Sequence, residues 1–141
     1  AALLVRQARQ IGVKSQFASG DGVSNDTFIE LASDASNGYL YTDAFDSSNP
    51  PTAKSKAFVE AYAKENGDSN VPGFTALGAD SYYLMVDAMN RCADGADREC
   101  VNKEIKNSKN FEGVSGIINI DKKGNAERSI VIKEIAGGKA M

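Results

Sequence analysis

The fold class of this chain rests on the stretch Phe17-Ala18-Ser19-Gly20-Asp21-Gly22-Val23-Ser24-Asn25. Residues 14–19 are typical of a strand or the approach to one, and the two glycines around Asp21 predict a turn, because Gly and Asp favour turns for conformational reasons. Cap-forming residues then precede an apolar run, so we expect a helix to start near Thr27, which has capping-box spacing to Glu30. A strand that leads through a turn into a helix indicates an α/β fold.

Asp21 is a candidate ligand-binding residue. In open α/β sheets, ligands bind in the crevice beyond the carboxyl ends of the strands, and Asp21 follows such an end. Gly20 and Gly22 would let a ligand approach the backbone closely, and the carboxylate could pair with a cationic group of that ligand. Alternatively, Asp21 only shapes a Gly-Asp-Gly turn, and the spacing leaves both interpretations open. A phosphate site is disfavoured, because the stretch lacks the remaining residues of the known phosphate-binding loops and Asp21 would repel an anion.

Apolar spacing and turn residues predict the other elements. Helices are expected over residues 1–11, 53–65 and 75–91 and around Val101 and Ile105, and strands over residues 39–42, 117–120 and 129–132. The helix over 75–91 carries apolar residues on more than one face, so it should be the most buried helix. About four strands make a thin sheet for this many helices, and residues 1–11 begin without an N-cap. We therefore expect an α/β architecture whose N-terminal portion is missing.

The composition is that of a soluble globular chain and excludes several functions. The 141 residues include 16 basic and 19 acidic side chains, for a formal charge of −3, and 42% are hydrophobic. Histidine is absent, which excludes Ser-His-Asp and Cys-His nucleophilic sites and imidazole metal ligands. The lack of a basic cluster argues against a nucleic-acid partner, and the lack of a run of about 20 apolar residues argues against membrane insertion. No base and nucleophile pair can be named, so neither an enzyme nor a cofactor is expected.

The two cysteines, Cys92 and Cys100, are predicted to form a disulfide in an oxidising compartment. Two cysteines without histidine are too few for a structural zinc site, and their spacing is not that of a Cys-x-x-Cys redox dithiol. A loop closed between the end of one helix and the start of the next is geometrically reasonable, and its closure would stabilise the fold by about 2–3 kcal/mol. The alternative is a pair of reduced thiols packed beneath the loop.

Phe74 is the aromatic residue that we expect to line a binding pocket. It follows Pro72 and Gly73 in a loop that leads into the long predicted helix. Tyr82 and Tyr83 lie within that helix, where aromatic side chains on an apolar face more often belong to the core. Core packing remains the alternative for Phe74.

Several segments, taken together and in order, resemble one known family. They are residues 4–14, Phe17 with Gly20-Asp21-Gly22, and residues 35–38, 58–62, 76–80, 111–116 and 121–124. These segments resemble the periplasmic leucine/isoleucine/valine-binding proteins of ABC transporters. The resemblance implies the type I periplasmic binding protein fold, with two Rossmann-like lobes, of which this chain would be the C-terminal portion. It also implies that residues 1–70 belong to the second lobe, that residues 71–128 return to the first, and that residues 129–141 cross back to the second.

The same resemblance implies a function. A secreted, periplasmic protein of this family captures a small, branched-chain or similar amino acid between its lobes and delivers it to a membrane permease. Asp21 corresponds to the acidic residue that receives the ligand's α-ammonium group, and Gly73 and Phe74 would lie near the ligand's side chain. Donors to the α-carboxylate would come from the missing N-terminal portion of the same protein. The alternative is a ligand-sensing domain of the same fold in a receptor or regulator of amides or amino acids.

Overall fold

The computed structural model describes residues 1–141, which form five α-helices and seven strands. The helices are α1 (Ala2–Gln10), α2 (Asp26–Ala32), α3 (Ala53–Asn66), α4 (Gly73–Asn90) and α5 (Arg98–Lys106). The strands are β1 (Ala18–Ser19), β2 (Leu40–Asp43), β3 (Phe111–Glu112), β4 (Ile117–Ile120), β5 (Ala126–Glu127), β6 (Val131–Ala136) and β7 (Lys139–Ala140). The predicted α/β class is confirmed, with more and shorter strands than the sequence indicated.

The chain divides into two compact units. The first unit is Ala1–Asp43 with Ile130–Met141, and the second unit is Ala44–Ser129. Helix α3 belongs to the second unit, where the buried Ser55 hydroxyl donates to the Val114 carbonyl at 2.6 Å. The division near residue 70 that the family resemblance implied concerns lobes of a larger protein, and it stays a prediction.

The first unit is built on a sheet with the strand order β1-β2-β6-β7. Strands β1 and β2 are parallel, whereas β2 pairs with β6 and β6 with β7 in antiparallel fashion. Helices α1 and α2 contribute Val5 and Phe28 to a core that also contains Tyr41. The Asn25 side chain caps α2 by accepting from the Phe28 amide at 2.9 Å. The helix therefore starts at Asp26, one residue before the predicted start.

The second unit contains α3, α4, α5 and the antiparallel sheet β3-β4-β5. Its core is formed by Phe45, Val59, Val71, Ala76 and Val114. The predicted helix over 53–65 is confirmed, and it ends at a left-handed Gly67 with φ of 74°. The strands expected over 117–120 and 129–132 are present, but β4 pairs with β3 and β5, while β6 pairs with β2 and β7. They do not form a ladder with each other.

Helix α4 has the most buried residues of the five helices, but its tyrosines are not among them. Its buried residues are Gly73, Ala76, Asp80 and Ala88, whereas Tyr82 is 66% exposed and Tyr83 37% exposed. Helix α4 contributes more buried residues than any other helix, as predicted, whereas the prediction that both tyrosines belong to the core is wrong for this chain. The face of α4 that packs is made of small residues and one carboxylate, so the large apolar side chains point elsewhere. None of the helices is both long and apolar enough to cross a membrane.

Asp80 connects α4 to the loop between β3 and β4 through hydrogen bonds. Its side chain is buried, and its carboxylate accepts hydrogen bonds from the backbone amides of Val114 and Ser115, the latter at 3.0 Å. Gly113 makes the close approach possible, because a Cβ atom there would lie 2.5 Å from Asp80 Oδ1. The carboxylate thus replaces the water that these two loop amides would otherwise require.

Candidate functional site

The candidate site lies in the first unit, where two parallel strands end. Ser19 and Tyr41 are partners in the parallel pairing of β1 with β2. The carboxyl ends of both strands therefore meet at one edge of the sheet, and the Gly20-Asp21-Gly22 turn begins directly beyond β1. This edge is where open α/β sheets bind their ligands.

Asp21 is the first residue of a short 3₁₀ turn, Asp21–Val23, and its side chain is half-buried. The turn is closed by backbone groups, since the Ser24 amide donates to the Asp21 carbonyl at 2.8 Å. The Asp21 carboxylate forms no hydrogen bond or ion pair with another residue of the chain. The carboxylate therefore keeps its full hydrogen-bonding capacity for a group that comes from outside the chain.

Gly20 and Gly22 are both exposed, and neither has a positive φ. A Cβ atom at Gly20 would lie 4.0 Å from Thr42 Oγ1, and one at Gly22 would have no neighbour within 4 Å. Backbone conformation and packing within the chain therefore do not require glycine at either position. The two glycines leave the backbone on both sides of Asp21 accessible.

Asp43 is a second acidic residue at this edge, and the sequence reasoning missed it. It ends β2 with only 2% of its surface exposed. The Ser24 hydroxyl donates to Asp43 Oδ2 at 2.6 Å, and Lys133 Nζ lies 3.1 Å from the same oxygen. Side chains alternate between the two faces of a strand, so Tyr39, Tyr41 and Asp43 share one face. This alternation was the sequence signal that could have identified Asp43.

The environment of Asp43 also affects Tyr41. Burial raises the pKa of the Tyr41 hydroxyl, the negative charge of Asp43 raises it further, and a hydrogen bond with Ser24 partly offsets both effects. The phenol, which is neutral at physiological pH even with its ordinary pKa of about 10, therefore becomes harder still to ionise. Tyr41, Ser24 and Asp43 therefore form one buried polar cluster behind the turn that carries Asp21.

Gly73 and Phe74 belong to the second unit. Gly73 is the buried first residue of α4, and its preceding residue, Pro72, provides no side-chain cap. The Phe74 ring is 55% exposed, so core packing within this chain does not account for it. Their role beside a ligand stays a prediction, as does that of Asp21.

The predicted disulfide between Cys92 and Cys100 is confirmed, with a Cα–Cα distance of 6.1 Å. It joins the turn after α4 to the first turns of α5, which Asp97 caps by accepting from the Glu99 and Cys100 amides. The cysteines are therefore not metal ligands. No group of three or more His, Cys, Asp or Glu residues in the structure could hold a metal ion.

Replacing both cysteines by serine is expected to lower the free energy of unfolding by about 2–3 kcal/mol, because the open chain between them regains conformational entropy. Denaturant unfolding of the full-length protein measures this loss. Thiol counting in denaturant without reductant should detect no free thiol from this pair. Two reactive thiols, or equal stability of the variant, would contradict the assignment.

The sequence matches the model of one protein family, described as periplasmic binding protein, over residues 1–139. A curated relative from Pseudomonas aeruginosa, the leucine-, isoleucine-, valine-, threonine- and alanine-binding protein, is 32% identical over 123 residues. That alignment covers 87% of this chain and 32% of the relative. The Leu/Ile/Val-binding protein BraC3 of Rhizobium johnstonii is 26% identical with the same coverage. The chain thus spans about a third of the length of these curated relatives.

Solved structures give the same result for the fold. The leucine-binding protein LivK of Thermotoga maritima superposes with a TM-score of 0.94 at 36% identity, over 99% of this chain and 39% of that protein. The branched-chain amino acid transporter substrate-binding protein LivJ of Streptococcus pneumoniae, solved with isoleucine, has a TM-score of 0.84 at 26% identity over 99% of this chain and 39% of that protein. The type I periplasmic binding protein fold expected from the sequence is confirmed.

Proposed function

We propose, from the premise that this chain belongs to the periplasmic binding protein family, that it is part of a protein that captures a branched-chain or similar small amino acid. The relative from Pseudomonas aeruginosa is named for binding leucine, isoleucine, valine, threonine and alanine, and the LivJ structure holds isoleucine. Both names describe binding, and the histidine-free chain offers no base and nucleophile pair. The protein therefore binds and releases its ligand without breaking a bond.

The observation that carries this proposal is the carboxylate of Asp21. It lies beyond the carboxyl end of β1, between two exposed glycines, and no side chain or amide of the chain neutralises it. An α-ammonium group is a compact cation with three N–H donors, so it can form charge-assisted hydrogen bonds to both carboxylate oxygens. Asp21 thus receives the ammonium end of the zwitterion.

Phe74 and Gly73 supply the wall for the ligand's side chain in this proposal. The Phe74 ring is more than half exposed at the start of α4, and Gly73 adds no side chain of its own. An aliphatic side chain that covers the ring removes apolar surface of both partners from water, which favours binding by about 25 cal/mol per Å². A branched aliphatic side chain therefore suits the exposed ring of Phe74.

Binding is completed by parts of the protein outside this chain. The relatives are about three times as long, and donors for the ligand's carboxylate are expected from their additional residues. Hinge closure of two lobes around the zwitterion would then bury the ligand. The family description supports a periplasmic location, and the name of the LivJ relative supports delivery to a transporter permease.

Calorimetric titration of the full-length protein with a panel of amino acids tests the proposal. Leucine, isoleucine or valine is expected to bind, whereas 4-methylpentanoate, which is leucine without its ammonium group, should bind at least tenfold more weakly, because it loses a charged hydrogen-bonding group. D-Leucine is a useful second comparison, since it keeps the ammonium group in a different direction. Equal affinity for leucine and 4-methylpentanoate, or no affinity for any amino acid, would contradict the proposal.

A further inference from the structure

We propose that Ser24 and Asp43 act as positioning residues for Asp21, so that ligand affinity depends on a hydrogen bond that does not touch the ligand. This inference rests on the proposed function, since it concerns how the same carboxylate is held. Ser24 makes two bonds at once: its hydroxyl donates to Asp43 Oδ2 at 2.6 Å, and its amide donates to the Asp21 carbonyl at 2.8 Å. One residue thereby connects a buried side chain to the backbone of the binding turn.

Asp43 is a fixed anchor for this connection. It is the last residue of β2, it is aligned with Val131 in the antiparallel ladder, and its side chain is buried. Lys133, which is aligned with Tyr41 on the neighbouring strand, reaches diagonally to Asp43 and places its ammonium 3.1 Å from the carboxylate. The strand pairing and the ion pair together fix the acceptor oxygen to which Ser24 is bound.

Apart from the Val23 side chain, which is buried in the core of the first unit, the turn has few other restraints. Gly20 and Gly22 flank Asp21 without close neighbours, and two backbone hydrogen bonds, from the amides of Ser24 and Asn25, close the turn. A turn with two glycines samples many conformations unless something holds it, because glycine has the largest backbone freedom. The bond from Ser24 to Asp43 ties the carboxyl end of this turn to the sheet.

The charge of the anchor is informative as well. Burying a carboxylate and an ammonium group costs desolvation free energy, and a well-packed apolar pair in their place often makes a protein equally or more stable. The ion pair of Asp43 with Lys133 is therefore poorly explained by stability alone. The Asp43 carboxylate provides Ser24 with a strong acceptor at a defined place, and Lys133 compensates the negative charge of Asp43. Asp21 is then the carboxylate without an ion pair at this edge of the sheet.

The test is Ser24→Ala in the full-length protein, with Ser55→Ala as the matched control. Ser55 also donates from a buried hydroxyl at 2.6 Å, but its acceptor is the Val114 carbonyl in the second unit. Ser24→Ala loses the hydroxyl bonds to Asp43 and Tyr41, and Ser55→Ala loses those to Val114 and Thr52, so both variants should lose similar stability. Only Ser24→Ala is expected to weaken leucine binding, by roughly five- to tenfold, because the loosened turn must be reordered when the ligand binds.

Hydrogen exchange gives a second readout, which separates local loosening of the turn from a general loss of stability. In the ligand-free protein, the amides of residues 21–25 should exchange faster in Ser24→Ala than in the wild type or in Ser55→Ala. Asp43→Asn, which keeps the side-chain volume, should act in the same direction if Ser24→Ala fails to fold. Ser24→Thr keeps the hydroxyl and should bind leucine more tightly than Ser24→Ala.

The outcomes separate this inference from the proposed function. If Asp21→Ala loses leucine affinity while Ser24→Ala and Asp43→Asn retain wild-type affinity, the positioning role is wrong and the ammonium site stands. If Asp21→Ala itself binds leucine normally, the ammonium site is wrong and the positioning role falls with it. Equal weakening by Ser24→Ala and Ser55→Ala would also overturn the positioning role, because general destabilisation would then explain both.

Discussion

Replacing Asp80 by alanine is expected to lower the free energy of unfolding by about 2–6 kcal/mol, the largest loss of stability that we predict for a single side chain. The Asp80 carboxylate is the acceptor for the amides of Val114 and Ser115, and it is 4% exposed. Each buried amide that loses its acceptor costs about 1–3 kcal/mol. The alanine variant leaves two such amides, and the neighbouring loop residues shield them from water.

Two variants on the same helix serve as controls for Asp80. Asp87→Ala removes an exposed carboxylate that pairs with Arg91 four residues later, and such surface pairs contribute about 0–1 kcal/mol. Asp80→Asn keeps one acceptor oxygen, so its loss should lie between those of Asp87→Ala and Asp80→Ala. Denaturant unfolding of the full-length protein measures all three, and equal losses for Asp80→Ala and Asp87→Ala would contradict the role of Asp80.

The contact between Asp80 and the loop between β3 and β4 can also be tested by a substitution in the loop. A Cβ atom at Gly113 would lie 2.5 Å from Asp80 Oδ1 and 2.9 Å from Ile118 Cδ1, so Gly113→Ala must displace packed atoms and should cost about 1–3 kcal/mol. Gly78→Ala is the control, and it should change the free energy of unfolding in the opposite direction. Gly78 lies within α4, and a Cβ atom there would meet nothing within 4 Å, so alanine should stabilise the helix by about 0.5–1 kcal/mol.

Local signals in the sequence predicted local structure well. Gly12 and Gly67 follow the helices predicted over residues 1–11 and 53–65, and both have the positive φ typical of residues that end a helix, at 87° and 74°. Asn25 was among the expected cap residues and caps α2. The spacing of Cys92 and Cys100 led to the disulfide that the structure contains. Each of these features depends on residues that are close along the chain, which is why turn and cap chemistry was sufficient.

Long-range contacts could not be predicted in the same way. Asp80 binds amides 34 and 35 residues away, and Ser24 binds Asp43 across 19 residues. Hydrophobic periodicity also misplaced Tyr82 and Tyr83 in the core, because the pattern shows which faces of α4 are apolar but not which of them another element covers. Asp21 could be proposed as a ligand-binding residue because a turn after a strand has a defined place at the sheet edge, whereas Asp43 needed the register of β2.

Removing the charge of Asp21 is expected to weaken leucine binding at least tenfold, which corresponds to the roughly 1.5–3 kcal/mol of a hydrogen bond to a charged group. Asp21→Asn keeps the shape and one carbonyl oxygen but cannot neutralise an ammonium group. Stability should change little, because the carboxylate has no partner in the chain. A loss of affinity without a loss of stability separates a ligand contact from a structural role.

The most direct test is therefore calorimetric titration of the full-length protein with leucine, as the wild type, Asp21→Asn and Asp34→Asn. Asp34 is exposed in the same unit, so its variant makes the same change in net charge away from the proposed contact. We predict that Asp34→Asn retains wild-type affinity and that Asp21→Asn binds at least tenfold more weakly. Wild-type affinity in Asp21→Asn would contradict the assignment of Asp21 to the ligand's ammonium group.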